Sequence, residues 1–307
     1  MRIFRFLTLA LCVATFAFAN VAVSPLNADE PKFQQVSDVV YKKVGDREIK
    51  LNLFLPLKDG VPVKNAPLYI YLDSGCWYSG TPGDGGFWRW LGVLDRGCAI
   101  ASVSHRPINE APFPAPMEDV RAAVRFLRKN ADKYGLDPNN FTAGGYSSGG
   151  HLSLTLGTSD AKSVYEVGDN LDVSGQVQQV VEFYGPTDFP LVFERISREA
   201  VDCIYVAFDV KKADADDRTS PLYADLMERA KKYSPLHAVD ADFAPTLILH
   251  GTDDTVVPLS QSALLFDELR KAGVRTKLIV GNGGVHDGST VALPQEFRRE
   301  VAEFLGW

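Results

Sequence analysis

The chain has 307 residues, of which 46% are hydrophobic and 23% are charged, so its composition is that of an ordinary globular protein with room for one large core. A formal net charge of -7 argues against nucleic acid as a partner, because phosphate binding requires clustered Lys and Arg. No run of five or more like charges occurs, so no acidic or basic tail is indicated.

The N-terminus has the pattern of a secretory signal peptide. Arg2 and Arg5 precede an apolar run that ends in an A-x-A motif. We expect a signal peptide over residues 1–19, with a second candidate cleavage site after Ala28. The run is shorter than the ~18 residues that a membrane span requires. The sequence therefore predicts a secreted or periplasmic mature chain that does not span a membrane.

Strand and helix patterns follow in alternation. "VVYKKV" and "EIKLNLFLPL" alternate apolar and polar residues, as in an antiparallel hairpin with one wet face. "PLYIYLD" and "CAIASVSHR" are denser apolar runs, typical of strands that are buried on both faces. A helical stripe along "PMEDVRAAVRFLRKNADKYG" ends at Gly135, and the predicted strand "NFTAGGY" comes next.

The second half continues the alternation. "VQQVVEFYG", "PTLILHG" and "TKLIVGN" predict strands, and "SQSALLFDELRKAG" and "PQEFRREVAEFLGW" predict helices. We therefore expect an α/β fold with a mostly parallel central sheet flanked by helices, in a single domain over residues 33–307. Residues 188–236 are rich in charge and poor in strand signal, which indicates a small cap-like insertion over one end of the sheet.

The cysteines do not form a disulfide scaffold. Cys12 lies in the predicted signal peptide, which leaves Cys76, Cys98 and Cys203, and an odd number leaves at least one unpaired. The sequence contains neither a C-x-x-C pair nor a Cys/His cluster at metal-ligand spacing. No metal and no organic cofactor is implied.

A G-x-S-x-G motif runs from Gly145 to Gly149, with Ser147 at its centre. A nucleophilic serine needs a tight turn between a strand and a helix, so that its hydroxyl stands clear of the backbone. Glycines two residues before and after the serine let that turn close. Ser148 fits less well, because Tyr146 stands where the first glycine belongs. A Gly-rich turn before a helix that has no catalytic role shows the same pattern. The rest of the sequence must therefore decide whether Ser147 is a nucleophile.

Two later loops supply that context. "ILHGTDDTVVP" places Asp253 and Asp254 directly after a predicted strand, and "LIVGNGGVHDG" places His286 after the next one. A serine hydroxyl needs an imidazole to accept its proton, and the imidazole needs a carboxylate to hold its tautomer. Ser, Asp and His thus follow one another at the carboxyl ends of strands, where open α/β sheets form their sites. For the remaining histidines we expect structural roles: His105, His151, His237 and His250.

At these residues the chain resembles the α/β-hydrolase superfamily, and within it the esterase group that includes bacterial acetylxylan and feruloyl esterases. The resemblance covers nearly the whole mature chain. It implies that Ser147 is the nucleophile and His286 the base. The family's H-G-x-x-D-x-x-V-P loop matches with Asp254 as the acid, and Asp253 is the lesser candidate.

The resemblance also implies an oxyanion loop. The family's His-Gly-Gly-Gly-Trp segment matches "DSGCW", so Gly75 and Cys76 would donate backbone N–H groups together with Ser148. Asp73 replaces the family's histidine, and a carboxylate beside an oxyanion would oppose its charge. We expect Asp73 instead to accept hydrogen bonds from its own loop and to point away from the substrate. Asp73, Trp77 and Tyr146 are the candidates for substrate contact.

The predicted function is hydrolysis of a small acyl ester or a carbohydrate-linked ester through an acyl-enzyme. The expected binding partner is therefore the substrate itself, a small-molecule or carbohydrate-linked ester. Two alternatives stay open. A prolyl-oligopeptidase-like peptidase shares the fold and the order of the three residues. A non-catalytic binding protein would have the same fold, and Asp73 is its only support.

Overall fold

A single twisted sheet forms the centre of the computed structural model, which describes residues 32–78, 87–195, 198–287 and 295–306. The predicted signal peptide over residues 1–19 lies outside the described residues, and residues Pro31–Trp307 form one compact unit. The strands are β1 (Phe33–Val44), β2 (Arg47–Lys58), β3 (Val61–Pro62), β4 (Ala66–Leu72), β5 (Ala99–Val103), β6 (Leu136–Tyr146), β7 (Gln179–Phe183), β8 (Thr246–Gly251) and β9 (Thr276–Gly281).

The strand order is β1-β2-β5-β4-β6-β7-β8-β9, and β3 pairs with β2. All pairs from β5 to β9 are parallel, whereas β2 is antiparallel to β1, β3 and β5. The prediction of a mostly parallel sheet with an antiparallel N-terminal hairpin is confirmed.

Helices cover both faces of the sheet. Alternate residues of β4 point to opposite faces, as the two-residue period of a strand requires. Leu68 and Ile70 belong to the larger hydrophobic cluster, and Tyr69 and Tyr71 belong to the smaller one. The helices are α1 (Ala115–Lys129), α2 (Ala131–Tyr134), α3 (Ser148–Gly157), α4 (Phe189–Arg195), α5 (Arg198–Ala207), α6 (Lys212–Asp216), α7 (Pro221–Lys232), α8 (Ser260–Lys271) and α9 (Gln295–Leu305), with 3₁₀ turns at Phe87–Arg96 and Pro235–Ala238. No helix in these described ranges is both long enough and apolar enough to cross a membrane.

Helices α4 to α7 lie between β7 and β8, in the segment for which the sequence predicts an insertion. Phe113 anchors them to the main body. Its N–H donates to the carbonyl of Ala207 at 2.7 Å, and its ring packs edge-on against Phe208 at a centroid distance of 5.3 Å. A cavity of about 640 Å³ opens between α5–α7 and residues 108–112. That this insertion caps the site stays a prediction.

The sheet register brings five loops to one edge. Leu72 of β4 pairs with Gly145 of β6, and Tyr146 of β6 pairs with Phe183 of β7. Further along, Gly251 of β8 pairs with Gly281 of β9. The loops after β4, β6, β7, β8 and β9 therefore all leave the sheet at its carboxyl edge, where open α/β sheets bind ligands.

Candidate active site

Ser147 sits on the turn between β6 and α3 with φ 53° and ψ -118°. A non-glycine residue in this region is strained, and surrounding structure must hold it there. The Ser147 N–H donates to the carbonyl of Phe183 at 2.9 Å, and the Ser147 carbonyl accepts from the N–H of His151 at 3.1 Å. These bonds fix the turn and leave the side-chain hydroxyl at the carboxyl edge of the sheet.

The glycines of the motif are required by a close approach of two backbones. A β-carbon at Gly145 would overlap the carbonyl oxygen of Leu72, and so would one at Gly149. A β-carbon at Gly149 would also overlap the carbonyl of Asp73. The G-x-S-x-G spacing thus lets the end of β4 lie against the first turn of α3, with the following loop beside the serine.

The structure joins Ser147, His286 and Asp254 by hydrogen bonds. His286 Nε2 lies 2.9 Å from Ser147 Oγ, and His286 Nδ1 lies 2.7 Å from Asp254 Oδ2. An ionised carboxylate can only accept, so the proton of the ring lies on Nδ1 and Nε2 is free to accept from the serine. This is the arrangement in which an imidazole can remove the proton of a serine hydroxyl.

Asp254 is held in its ionised form. Burial opposes ionisation, but hydrogen bonds from His250 and His286 outweigh it and hold the pKa of Asp254 far below its ordinary value. The other oxygen, Oδ1, accepts from the N–H groups of Val256 at 2.9 Å and Val257 at 2.8 Å. Asp253, the lesser candidate, is exposed, and its Oδ1 accepts from the Thr252 hydroxyl.

The loop after β4 follows an unusual path. Gly75, Cys76 and Trp77 all have positive φ, at 104°, 54° and 56°. The carbonyl of Gly75 accepts from the N–H of Tyr78 at 3.0 Å, which closes the turn. Within the described residues, neither the N–H of Cys76 nor that of Ser148 has a hydrogen-bond acceptor. The two predicted donors are thus free for another acceptor.

Asp73 forms local hydrogen bonds. Its Oδ1 accepts from the N–H of Ser74 at 2.8 Å and from the Tyr71 hydroxyl at 3.1 Å. An aspartate that accepts from the following backbone N–H is common in turns. This arrangement agrees with the expected structural role of Asp73, which remains a prediction.

The structure places Trp77 and Tyr146, two of the candidates for substrate contact, inside the protein. Trp77 is 2% exposed, and its Nε1 donates to Nδ1 of His151 at 3.2 Å. Tyr146 is 5% exposed and packs on Phe183 at a centroid distance of 4.6 Å. Both side chains support the loops of the site from below, and neither presents a large face to solvent.

The other histidines have structural contacts. His151 is buried, and its Nε2 donates to the carbonyl of Tyr233 at 3.1 Å, while burial lowers its pKa to about 4. His105 is also buried and donates from Nδ1 to its neighbour's carbonyl, and His237 pairs with Asp188 at 3.3 Å. His250 lies against Asp254, a contact that the sequence did not reveal.

Two residues of β7 and the loop after it were missed from the sequence. The Tyr184 ring packs edge-on against His286 with a centroid distance of 4.7 Å, so it limits how the imidazole can turn. Glu182 is fully buried behind the turn at Ser147, where its carboxyl accepts from the N–H of Gly185. Burial raises the pKa of Glu182 to about 7. The position of Tyr184, directly after a strand at the carboxyl edge, is the one signal that could have indicated it.

In the described part of the chain, no cluster of three or more His, Cys, Asp or Glu residues could hold a metal ion. The groups that the described residues bring together at the edge of the sheet are a hydroxyl, an imidazole, a carboxylate and two backbone donors.

The fold and this constellation define an α/β-hydrolase of the esterase group. Within it, the chain belongs to the BD-FAE family, whose model matches residues 51–269. The chain is 28% identical to Esterase LipC of Mycobacterium tuberculosis in a match that covers 68% of this chain and 50% of LipC. It spans about half the length of the curated relatives it matches.

Solved structures of carbohydrate esterases are similar as well. A truncated carbohydrate esterase from gut microbiota is 26% identical with a TM-score of 0.72, and the match covers 91% of this chain and 97% of that one. A bifunctional GH43-CE protein of Bacteroides eggerthii is 28% identical with a TM-score of 0.71, covering 89% of this chain and 35% of that protein.

Proposed function

We propose that this protein is a serine hydrolase that cleaves carboxylic esters through an acyl-enzyme. The observation that carries the proposal is the unbroken hydrogen-bonded line from Ser147 through His286 to Asp254. The relatives that are named esterases support the same reaction.

In the proposed mechanism, Ser147 Oγ attacks the ester carbonyl while Nε2 of His286 takes its proton. Asp254 stabilises the imidazolium that forms, through the bond to Nδ1. The imidazolium then gives its proton to the departing alcohol. A water molecule enters, loses a proton to His286 and releases the acid from Ser147.

The negative charge that develops on the carbonyl oxygen must be stabilised by hydrogen-bond donors. The N–H groups of Cys76 and Ser148 are the candidates, with Gly75 as a further donor. Ser148 opens α3, so the positive end of that helix favours the same charge. Loss of one such donor typically costs about 2.7–4 kcal/mol of transition-state stabilisation.

For the substrate, we propose a small acyl group or an ester linked to a carbohydrate. The carbohydrate-linked ester is supported by the names of two similar proteins, which are a carbohydrate esterase from gut microbiota and a GH43-CE protein. A panel of acetyl, butyryl, feruloyl and sugar acetate esters, tested on the wild type and Ser147→Ala, would identify the acyl and alcohol groups. Turnover of a proline-linked peptide in place of these esters would favour the peptidase.

A fluorophosphonate probe tests the reaction class, because it labels only an activated serine. We expect the wild type to be labelled at Ser147 and the Ser147→Ala variant to remain unlabelled. A folded wild type that the probe does not label would contradict the serine-hydrolase proposal and favour the non-catalytic binding protein.

We also propose that the protein is exported and that residues 1–19 are removed. Expression of the full chain in a bacterial host, followed by N-terminal sequencing, tests this. A periplasmic or extracellular product that begins at Asn20 or Asp29 supports export. A cytosolic product that retains Arg2 contradicts it.

A further inference from the structure

A cavity lies between the loop of residues 108–112 and helices α5–α7, apart from the residues of the candidate active site. Its volume of about 640 Å³ is within the range of about 300–1,000 Å³ that small-molecule sites occupy. None of Ser147, Asp254 and His286 lines it. The cavity is therefore a second place at which this protein can hold a ligand.

The apolar part of the lining is open to solvent. Ile108 and Leu226 line the cavity and are buried, whereas Val206 and Leu222 line it and are exposed. Tyr205 adds a half-buried aromatic side chain. A ligand gains free energy when it covers such apolar side chains. The occupant should therefore have an apolar face of its own.

The charged groups of the lining differ in whether they are paired. Arg229 donates to the carboxylate of Asp225 at 2.9 Å. Asp209, Lys211 and Asp214 line the same cavity. In the described part of the chain, their side chains form no hydrogen bond or ion pair. Two carboxylates and one ammonium group are thus free to bind a ligand.

This set of donors and acceptors selects a chemical class of ligand. An ionised carboxylate only accepts hydrogen bonds and an ammonium group only donates them, so the ligand must both donate and accept. Hydroxyl groups do both. The lining holds one more carboxylate than cations, so it does not favour an anion. A pyranose sugar is uncharged and combines hydroxyl groups with an apolar ring face.

We propose that this cavity binds a neutral oligosaccharide, whose hydroxyl groups contact Asp209, Lys211 and Asp214 and whose ring face covers Leu222. Binding itself does not depend on the proposed esterase function. The role of the cavity in turnover does rest on that function, because the bound sugar chain is then the part of the substrate that carries the ester.

The wall of the cavity is joined to the loop after β4. The N–H of Ile108 donates to the carbonyl of Trp77 at 3.2 Å, and the Phe113 ring packs edge-on against the Trp77 ring at a centroid distance of 5.1 Å. Trp77 directly follows Cys76, one of the proposed oxyanion donors. A sugar chain in the cavity is thus held by the segment that packs on this loop. We expect it to strengthen substrate binding without entering the chemical step.

The binding test uses the Ser147→Ala chain and unesterified sugars, so that its result does not depend on hydrolysis. We expect isothermal titration calorimetry to detect binding of at least one of cellotetraose, xylotetraose and mannotetraose. Adding Leu222→Trp places a larger side chain at the opening and should weaken that binding by about 10-fold or more. Leu171→Trp is the matched control, because Leu171 is 58% exposed against 60% for Leu222 and does not line the cavity. It should leave the affinity unchanged.

A second pair of variants tests the polar contacts. Asp214→Ala removes an acceptor and should weaken sugar binding by about 10-fold, because hydrogen bonds to charged groups are the stronger ones. Asp216→Ala is its control, since Asp216 lies on the same helix, pairs with Lys212 and does not line the cavity. Failure of all three sugars to bind would overturn the proposal, as would binding that neither Leu222→Trp nor Asp214→Ala weakens. Binding of spermidine in place of the sugars would show that the carboxylates select a cation, which also contradicts it.

Kinetics with Ser147 in place test the role in turnover. For the acetylated form of the sugar that binds, we expect Leu222→Trp to raise KM by about 5- to 10-fold at unchanged kcat, because it removes binding that is equal in the ground state and the transition state. For an aryl acetate, which has no sugar, both constants should match the wild type. An unchanged KM for the acetylated sugar would contradict this role. If the esterase proposal itself fails, neither ester is hydrolysed and calorimetry still decides whether the sugar binds.

Discussion

His250 lies directly behind the acid of the site, with its Nε2 3.4 Å from Oδ2 of Asp254. The same nitrogen donates to the carbonyl of Val257 at 2.8 Å, and Nδ1 accepts from the Ser262 hydroxyl at 2.7 Å. His250 therefore connects the last residues of β8 to the loop that carries Asp254 and to α8. It contacts Oδ2 of Asp254, the same carboxylate oxygen that is bonded to His286.

We expect His250→Ala to lower kcat/KM by about 10- to 100-fold, because a hydrogen bond to a charged group contributes about 1.5–3 kcal/mol. The rate should be normalised to the fraction of protein that a fluorophosphonate titrates, so that misfolded protein is not counted. Ser262→Ala removes the partner of Nδ1 and leaves the contact of Nε2 with Asp254, so it should cost less. A His250→Ala variant with the kcat/KM of the wild type would contradict a supporting role.

Asp254 and Asp253 offer a matched pair of adjacent carboxylates. Asp254→Asn should lower kcat by about 10⁴, because an amide at this position favours the wrong tautomer of His286. Asp253→Asn should change kcat by less than about threefold, since its carboxyl is exposed and bonded only to Thr252 within the described residues. Steady-state kinetics on one aryl acetate compares them. A larger loss from Asp253→Asn would reverse the assignment of the acid.

The sequence predicted the sheet well, because β4, β5, β7 and β8 are short, buried and mostly apolar runs. It also predicted which loops come together, since β6, β7, β8 and β9 are consecutive parallel strands of the sheet and their loops leave at one edge. The order of Ser147, Asp254 and His286 along the chain was therefore sufficient to bring them together in the prediction.

Contacts between distant segments could not be predicted. The packing of Tyr184 on His286 depends on how loops fold over the sheet. The local pattern of apolar and polar residues does not indicate such contacts between distant segments. The helices between β7 and β8 were missed for a different reason. Ser220 accepts from the N–H of Tyr223 and Pro221 opens α7, which are ordinary start signals, but the charged composition hid them.

Glu182 should make stability depend on pH. Its pKa in the folded protein is raised by burial from 4.5 to about 7, so between these values the folded state binds more protons than the unfolded state. The free energy of unfolding should therefore fall as pH rises from about 4.5 to about 7, by about 3 kcal/mol. Urea unfolding at a series of pH values measures this slope.

Glu182→Gln should remove that part of the slope, so that the variant gains stability relative to the wild type as pH rises. Exposed Glu194→Gln is the control and should leave the slope unchanged. Parallel curves for the wild type and Glu182→Gln would mean that Glu182 is ionised in the folded protein throughout this range.

Asp73 tests whether the carboxylate serves the loop or opposes the reaction. Asp73→Ala loses bonds from Ser74 N–H and the Tyr71 hydroxyl, so we expect it to destabilise the protein by about 1–3 kcal/mol with no gain in kcat. Asp73→Asn keeps an acceptor oxygen and should stay near the wild type in both properties. Tyr71→Phe removes one of the two donors and should give a smaller loss of stability. Thermal unfolding and ester hydrolysis measure the set. If Asp73→Ala folds normally yet hydrolyses esters much faster, the carboxylate opposes the oxyanion and the structural role of Asp73 is wrong.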